Sequence, residues 1–445
     1  MNWQQLISNK RLGQENRHTE RRDDRSEFKR DYDRLIFSAP FRRLQNKTQV
    51  FPLPGSIFVH NRLTHSLEVA SVGMSLGNDV ANDVIKRHPE LRGTLMEEIG
   101  TIVSTACLAH DMGNPPFGHS GEKALQAFFT EGKGVFLKDM LNPRFWDDIT
   151  HFEGNANAFR LLTHRFCGRR IGGFVMTYSM LASIVKYPFA SSCAGNHGKF
   201  GFFHSEEDFF CRVADELGMK KLSKEGEPAC YARHPLVYLV EAADDICYEI
   251  MDIEDAHKLK IITFDETRHL LLSFFNEEMQ RSIEQRIIDE GLTDENEQVV
   301  YMRACVIGKL ENLCVEAFLR HEEEILAGTF SGSLIDNITE KERLAYKQCV
   351  AVAQQEIYRS KPVIDIELAG YHIINTLMEQ MIEAAVYPER FYSKQLLRRV
   401  SSQYDINSPD LETRIMAVID FISGMTDVFA LDFYQKLNGT SLPIV

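Results

Sequence analysis

The adjacent pair His110-Asp111 begins the stretch of this chain whose residue types could carry out chemistry. An imidazole beside a carboxylate offers two ligands to a divalent metal ion. A turn rich in glycine and proline follows, and beyond it stand His119 and Glu122. A histidine and a glutamate three residues apart could transfer a proton during a reaction. The alternative interpretation is a loop between two helices with incidental polar residues.

Two amphipathic helices are predicted to direct histidines inward. Over residues 61–88 the apolar positions recur at steps of three and four, and Arg62 and His65 fall in the same stripe. Over residues 95–110 the apolar face ends with His110. A lone histidine on an apolar face is usually a satisfied core residue. Two of them, the second followed by an aspartate, favour metal ligands.

His234-Pro235 opens a third predicted helix, with the proline in its first turn, and the periodic stretch 236–253 carries polar side chains in line. Asp244, Tyr248 and Asp252 stand four residues apart, so they share one stripe of a mainly apolar helix. Burying such groups is costly unless they have partners. Asp245 lies about 100° round the helix and is the alternative metal ligand.

These inward-facing groups form a set of two histidines and two aspartates: His65, His110, Asp111 and Asp244. Mixed imidazole and carboxylate ligation suits Mn²⁺, Fe²⁺, Zn²⁺ or Mg²⁺, with positions left open for water and substrate. Arg62, Lys186 and Lys199 could hold phosphates, and His119 with Glu122 could move the proton. The residues therefore indicate metal-assisted hydrolysis of a phosphate ester.

Charge and cysteine usage restrict the function classes. A net charge of −14 over 445 residues argues against a general affinity for nucleic acid. The segment 10–47 is locally basic, but acidic residues interleave, which favours a solvated helix face. The nine cysteines form no C-x-x-C pair, and we find no signal peptide or membrane-length apolar stretch. We therefore expect a cytoplasmic protein with reduced thiols.

The periodicity predicts an all-α fold. We expect a metal-bearing core over residues 1–260, which includes the basic N-terminal segment. A C-terminal helical region, residues 261–445, is predicted to pack on that core, and the two could form one continuous domain. Its predicted helices cover residues 266–288, 297–326, 340–358, 364–385, 392–400 and 410–437. Ser120 is a candidate cap for a helix that starts near Gly121.

Five ordered segments resemble one branch of the HD-domain superfamily of metal phosphohydrolases, the deoxyguanosine-triphosphate triphosphohydrolases. They are residues 42–53 (RRLQNKTQVFPL), 62–69 (RLTHSLEV), 110–122 (HDMGNPPFGHSGE), 241–248 (EAADDICY) and 422–427 (ISGMTD). A lone His-Asp dipeptide would carry no weight, but five segments in order across most of the chain are specific. The resemblance implies an HD-type helical core and hydrolysis of a dNTP to deoxynucleoside and inorganic tripolyphosphate.

The resemblance also implies roles for individual residues. His65, His110, Asp111 and Asp244 match the metal ligands, and His119 and Glu122 match the catalytic histidine and the glutamate that orients it. Gln49, Tyr248 and Asp252 match positions that grip the deoxyribose, with the tyrosine ring excluding a ribose hydroxyl. The positions that match triphosphate contacts are Arg62, Lys186, Tyr187 and Lys199. Asn114 is expected near the α-phosphate, and Glu367 is a candidate contact to the base.

We therefore expect a divalent ion, Mn²⁺ or Mg²⁺ before Fe²⁺, Zn²⁺ or Co²⁺, and a dNTP substrate with dGTP favoured. A homo-oligomer such as a hexamer is expected. The rival hypotheses are a broad-specificity dNTPase or another nucleotide phosphohydrolase, and a regulatory subunit that binds nucleic acid. The basic segment 10–47 supports the last, and single-stranded DNA binding stays open as a side activity.

Overall fold

The structure, a computed structural model, describes residues 1–15, 24–50, 59–195 and 198–441. Within these ranges the regular elements are helices, and β-pairing is limited to isolated bridges such as Thr48–Asn61. The all-α prediction is confirmed. Part of the predicted basic segment (residues 16–23) and the end of the first matched motif (residues 51–53) lie outside the described residues.

The helices of the N-terminal half share one core. They are α1 Trp3–Leu6, α2 Glu27–Ile36, α3 Ala39–Arg43, α4 Arg62–Arg87, α5 Ile99–Ala109, α6 Gly118–Thr130, α7 Pro143–Thr150, α8 Gly154–Thr163, α9 Tyr178–Ser183, α10 Glu207–Glu216 and α11 Pro235–Lys258. Helix α4 packs along α5 and α11, so three of the predicted ligand-bearing segments meet in the interior.

The helices of the C-terminal half pack against this core. They are α12 Phe264–Leu272, α13 Glu277–Asp289, α14 Glu295–Arg320, α15 Glu322–Ala327, α16 Glu340–Val352, α17 Lys361–Val386, α18 Phe391–Leu397, α19 Leu411–Ser423 and α20 Asp427–Leu437. Helix α14 packs on α4 and α11, and α17 packs on α6. Both halves contribute to one cluster of buried apolar side chains. The division at residue 260 stays a prediction.

Local capping explains where the site-bearing helices begin. Asn61 accepts the Thr64 amide hydrogen at 3.0 Å, and Thr64 Oγ1 accepts the Asn61 amide hydrogen at 3.1 Å. This reciprocal cap fixes the first turn of α4 and the positions of Arg62 and His65. Both are buried, as the apolar stripe predicts. Helix α11 begins with Pro235, and the ring of His234 accepts the Leu236 amide hydrogen.

Helix α6 begins earlier than the sequence analysis predicts. It starts at Gly118, after Phe117 adopts a left-handed backbone with φ of 60°. Ser120 is therefore not the cap; its hydroxyl donates to the Glu367 carbonyl of α17 instead. The preference of serine for helix N-caps depends only on neighbouring residues, so it cannot predict this contact with a distant helix.

Several long predicted helices of the C-terminal half are divided in the structure. Residues 266–288 form α12 and α13, residues 297–326 form α14 and α15, and residues 410–437 form α19 and α20. Asn276 and Thr426 interrupt the pattern because each side chain accepts an amide hydrogen of the following helix. The predicted helix 340–358 ends in a π-helical turn, Ala353–Ile357. No helix in the described ranges combines the length and apolar composition needed to cross a membrane.

Candidate metal centre and adjoining cavities

Four predicted ligands converge from three helices. His65 projects from α4, His110 and Asp111 follow the last turn of α5, and Asp244 projects from α11. Ligand atoms of His65, His110 and Asp111 lie within 4.8 Å of one another. Asp244 Oδ1 lies 3.0 Å from His65 Nε2 and 3.4 Å from His110 Nε2. His65, His110 and Asp111 are therefore close enough to share one ion, and Asp244 lies against the two histidines of that group.

The electrostatics of this cluster favour a positive charge at its centre. Burial disfavours protonation of His110, but Asp111 and Asp244 outweigh it and raise the pKa of His110 to about 9. Burial also opposes ionisation of Asp244, yet His110 and His65 hold its pKa well below the ordinary value. The Nδ1 atom of His110 lies 2.6 Å from the Cys107 carbonyl oxygen and can donate to it, which leaves Nε2 for the cluster. The donor set thus fits a divalent cation.

Asp111 is held in place by two further predicted site residues. Arg62 Nη1 donates to Asp111 Oδ2 at 2.7 Å, and Asn114 Nδ2 donates to Asp111 Oδ1 at 2.5 Å. Arg62 Nε is buried without a hydrogen-bond partner among the described residues. Arg62 is therefore placed to orient a ligand carboxylate while one of its nitrogens stays available.

A cavity of about 430 Å³ opens on one side of the cluster. It is lined by most of the predicted nucleoside-binding residues together with the cluster: Gln49, Arg62, Asp111, Asn114, His119, Asp244, Tyr248 and Glu367. Gln49 Oε1 is buried in this wall and has no hydrogen-bond partner in the described part of the chain. An orphaned amide oxygen in a cavity suits a ligand hydroxyl, since buried acceptors are normally paired.

Asp252 lies behind this cavity rather than in its wall. It is buried and accepts the Tyr358 hydroxyl hydrogen at 2.7 Å. Tyr358 itself lines the cavity, as do Val363 and Ile366. Sequence reasoning missed these three because their approach to α11 depends on packing of the C-terminal half. No spacing signal marks them.

A second cavity of about 150 Å³ lies on another side of the cluster. His110, Asp111, Asn114 and Asp244 line it together with Lys186, Glu241, Asn155 and Ser183. Lys186 Nζ lies 3.0 Å from Glu241 Oε1, and Arg233 Nη1 lies 2.9 Å from Glu241 Oε2. The cations near this cavity are thus already paired within the protein.

Tyr187 and Lys199, two predicted triphosphate contacts, line neither cavity. The Tyr187 ring lies beneath Arg233, whose guanidinium carbon is 5.9 Å from the ring centroid. Lys199 Nζ lies 2.7 Å from Glu153 Oε1 and 3.2 Å from Glu122 Oε1. Glu153 was not anticipated; its only signal was a polar segment just before α8.

His119 and Glu122 lie on the first turns of α6 but are not hydrogen-bonded to each other. Glu122 directs one oxygen to Lys199 and accepts the Gly154 amide hydrogen at 3.2 Å with the other. His119 is exposed and lines the larger cavity. Partial burial of its side chain and the positive charge of Lys199 lower the pKa of His119. A neutral imidazole at the cavity edge is able to accept a proton or, once protonated, to give it up.

His60, which lies two residues before α4, is half-buried. Its Nδ1 lies 2.9 Å from Asp255 Oδ2, and its Nε2 lies 3.1 Å from Glu68 Oε1. Burial opposes protonation, but the two carboxylates raise the pKa of His60 to about 10. Glu68 therefore pairs with His60, which fixes the entry to α4.

Comparisons with known proteins agree with this architecture. Residues 62–151 match the HD domain family, and residues 337–436 match the phosphohydrolase-associated domain family. A deoxyguanosinetriphosphate triphosphohydrolase-like protein of Synechocystis is 37% identical, covering 99% of this chain and 100% of that protein.

Two further relatives extend the comparison. A protein of the same description from Pseudomonas aeruginosa is 36% identical over all of both chains. A deoxyguanosinetriphosphate triphosphohydrolase of Yersinia enterocolitica is 28% identical, covering 92% of this chain and 93% of that protein. This chain therefore belongs to the family of HD-domain proteins that resemble deoxyguanosinetriphosphate triphosphohydrolases.

Proposed function

We propose that this protein is a metal-dependent dNTP triphosphohydrolase that favours dGTP and releases deoxynucleoside and inorganic tripolyphosphate. The observation that carries the proposal is a cation-favouring cluster of histidines and aspartates shared by two cavities of different size. The cavity of about 430 Å³ suits a nucleoside, and the smaller one, with Lys186, suits phosphate groups. The names of the relatives support the same reaction.

His65, His110, Asp111 and Asp244 would hold the ion, with Mn²⁺ or Mg²⁺ expected before Fe²⁺, Zn²⁺ or Co²⁺. When bound, such an ion polarises a phosphoryl oxygen and activates water. Arg62 and Asn114 keep Asp111 oriented toward the cluster. Lys186 can exchange its contact with Glu241 for a triphosphate oxygen. The C-terminal half supplies Glu367 beside the space for a base.

Water attacks the α-phosphorus, and the bond from that phosphorus to the 5′-oxygen breaks. The attacking water gives up a proton, and the departing sugar oxygen gains one, because an alkoxide is a poor leaving group. His119 is the residue proposed to exchange a proton at this edge of the cavity. Glu122 acts on His119 only indirectly here, through Lys199, whose charge lowers the pKa of His119.

Deoxyribose selection is proposed to rest on the larger cavity. The ring of Tyr248 would cover C2′, which leaves no room for a ribose hydroxyl. Gln49 Oε1, which is orphaned and buried, would accept the 3′-hydroxyl hydrogen. Asp252 would act through the hydroxyl of Tyr358, which it holds.

Product analysis tests the reaction. We expect the purified protein with Mn²⁺ or Mg²⁺ to convert dGTP, but not GTP, to deoxyguanosine and tripolyphosphate. In water labelled with ¹⁸O, the label should appear in tripolyphosphate and not in the nucleoside. Release of pyrophosphate or orthophosphate would reject the proposal. Equal turnover of all four dNTPs would favour the broad-specificity alternative.

A second activity, binding of single-stranded DNA, is favoured by one surface feature. Arg34, Arg169 and Arg170 line a cavity of about 370 Å³ beside Phe37, whose side chain is 75% exposed. Arg169 and Arg170 form no ion pair with any residue the structure describes. Guanidinium groups beside an exposed aromatic ring suit phosphates and stacked bases.

Arg34 and Arg170 line the same cavity, so their positive charges adjoin one another. A gel shift should show salt-sensitive binding of single-stranded DNA by His119→Ala, and weaker binding by Arg169→Gln/Arg170→Gln. No binding by His119→Ala would reject a separable DNA site.

We also propose a homo-oligomer, such as a hexamer, and a cytoplasmic location. Large apolar side chains are exposed on the C-terminal helices, among them Leu368, Phe391 and Tyr392. Large exposed apolar side chains of this kind favour subunit contact. Light scattering during gel filtration would give the mass, and a monomer at micromolar concentration would contradict the proposal.

A further inference from the structure

The corner between α19 and α20 lies against residues 112–117, the segment that connects Asp111 to α6. Lys47 Nζ donates to the Ser423 carbonyl at 3.0 Å and also to the Asn114 carbonyl. Asn157 Nδ2 donates to the Gly113 carbonyl at 2.7 Å. Residues 423–427 thus belong to a hydrogen-bonded support under the segment that leads from the metal centre to His119.

Asp427 is the part of this corner that touches two walls of the larger cavity. Its Oδ2 accepts the Thr48 amide hydrogen at 2.8 Å, and its Oδ1 accepts the Phe117 amide hydrogen at 2.9 Å. Only 6% of Asp427 is exposed. Thr48 and Phe117 both line the cavity. One carboxylate therefore connects two segments that are distant in sequence.

Each of these amides lies within two residues of a residue assigned to the reaction. Thr48 precedes Gln49, whose Oε1 is buried and orphaned in the cavity wall. Phe117 holds the left-handed backbone from which α6 starts, and His119 follows two residues later. Hydrogen bonds to an ionised carboxylate are stronger than neutral ones, so they restrain both backbones. The strained φ of Phe117 needs such restraint.

We propose that Asp427 is a positioning residue that fixes the separation between Gln49 and His119 across the nucleoside cavity. The inference rests on the proposed function, because it assigns Gln49 to the sugar and His119 to the proton. Asp427 touches neither the metal ligands nor the space for substrate. It acts through the two backbone amides.

The test variant is Asp427→Asn, which keeps the size of the side chain but replaces one acceptor oxygen with a donor. The matched control is Asp432→Asn on the same helix, where the carboxylate is 43% exposed and pairs with Lys436. Turnover of dGTP and GTP, the pH profile of kcat, and the melting temperature are measured for both.

For Asp427→Asn we expect kcat/KM for dGTP to fall roughly tenfold to a hundredfold, the range for losing a charge-assisted hydrogen bond. The preference for dGTP over GTP should shrink, and the pH profile of kcat should shift. Asp432→Asn should match the wild type. Asp427→Ser, which keeps one acceptor, replaces the Asn variant should that one not fold.

A double-mutant cycle with Gln49→Ala decides between positioning and plain stabilisation. Asp427 acts through Gln49, so the combined loss of discrimination should be smaller than the product of the single losses. The inference is overturned if Asp427→Asn loses activity only in proportion to folded protein, with discrimination and pH profile unchanged. It is also overturned if Gln49→Ala does not alter the preference for dGTP over GTP. In either case, release of tripolyphosphate by the wild type would still support the proposed reaction.

Discussion

The two cavities beside the candidate metal centre differ in whether their polar groups already have partners. The larger one contains an unsatisfied neutral acceptor, Gln49 Oε1, and aromatic walls. The smaller one contains Lys186, whose charge is already met by Glu241. Burying a neutral polar group without a partner costs little free energy, whereas burying an unpaired charge costs much more. Discrimination between sugars is therefore expected on one side, and exchange of ion pairs on the other.

Both cavities adjoin the candidate metal centre, so removing one of its ligands should abolish activity regardless of what each cavity binds. Asp244→Ala deletes the oxygen that faces both His65 and His110. We expect activity to fall at least about a thousandfold, together with loss of metal binding. Asp245→Ala should be milder, since Asp245 lies to the side of the stripe. Turnover and metal content of the two variants check this; the reverse order would mean that the wrong carboxylate is assigned.

Changing only the larger cavity should alter sugar discrimination. Gln49→Ala removes the orphaned acceptor, so the preference for dGTP over GTP should fall by roughly tenfold to a hundredfold. The comparison uses kcat/KM for the two nucleotides. Gln45→Ala, an exposed glutamine four residues earlier, is the control and should retain the wild-type ratio. A loss of dGTP and GTP turnover in equal measure would contradict a sugar-specific role.

Changing only the smaller cavity should alter binding of the phosphates and leave the choice of sugar intact. Lys186→Met removes a charge that the triphosphate is expected to meet, so KM should rise about tenfold with a smaller change in kcat. The dGTP to GTP ratio should stay constant in steady-state kinetics. Lys347→Met, at an exposed position, serves as control. An altered sugar preference would show that the two cavities are not independent.

The smallest effect on activity at neutral pH is expected from a change at His234, which caps the first turn of α11. Burial lowers the pKa of His234 to about 4, although its bond to the Leu6 carbonyl opposes this. The unfolded chain, with an ordinary pKa near 6.5, binds the proton more readily, so the free energy of unfolding falls as pH drops below about 6.5. At pH 5 the loss should be about 2 kcal/mol.

Denaturant titration at pH 7.5 and pH 5 measures this loss. His234→Asn keeps an acceptor for the Leu236 amide but does not titrate, so that part of the pH dependence should disappear. An equal acid loss in wild type and variant would exclude His234 as its source.

Local sequence patterns predicted which side chains meet in the candidate metal centre better than they predicted the residues that line the cavities. Periodicity placed His65 on the buried face of α4, and the sequence placed His110 and Asp111 at the end of α5. Asp244 and Tyr248 lie in the cavity wall as their spacing predicts, but Asp252 is covered by Tyr358. Spacing along a helix predicts the direction in which a side chain points from that helix. It does not predict which side chain from a distant part of the sequence will cover the end of the stripe. The roles assigned to these residues stay predictions.

The same limit applies to the predicted proton pair. Three residues of spacing place His119 and Glu122 on adjacent turns of α6, but Lys199 and the Gly154 amide occupy the Glu122 carboxylate.

Helix breaks in the C-terminal half were missed for another reason. Apolar periodicity continues across Asn276 and Thr426, while the caps that end it are single polar side chains.

The entry of α17 and the π-helical turn into the larger cavity has a consequence for how such proteins diversify. Tyr358, Val363, Ile366 and Glu367 come from a short segment that contributes no metal ligand. Under the proposed assignment of Glu367 to the base, drift within that segment would change which base is accepted without altering the proposed metal ligands. Recombination at its ends would move base preference between family members as a single exchangeable block.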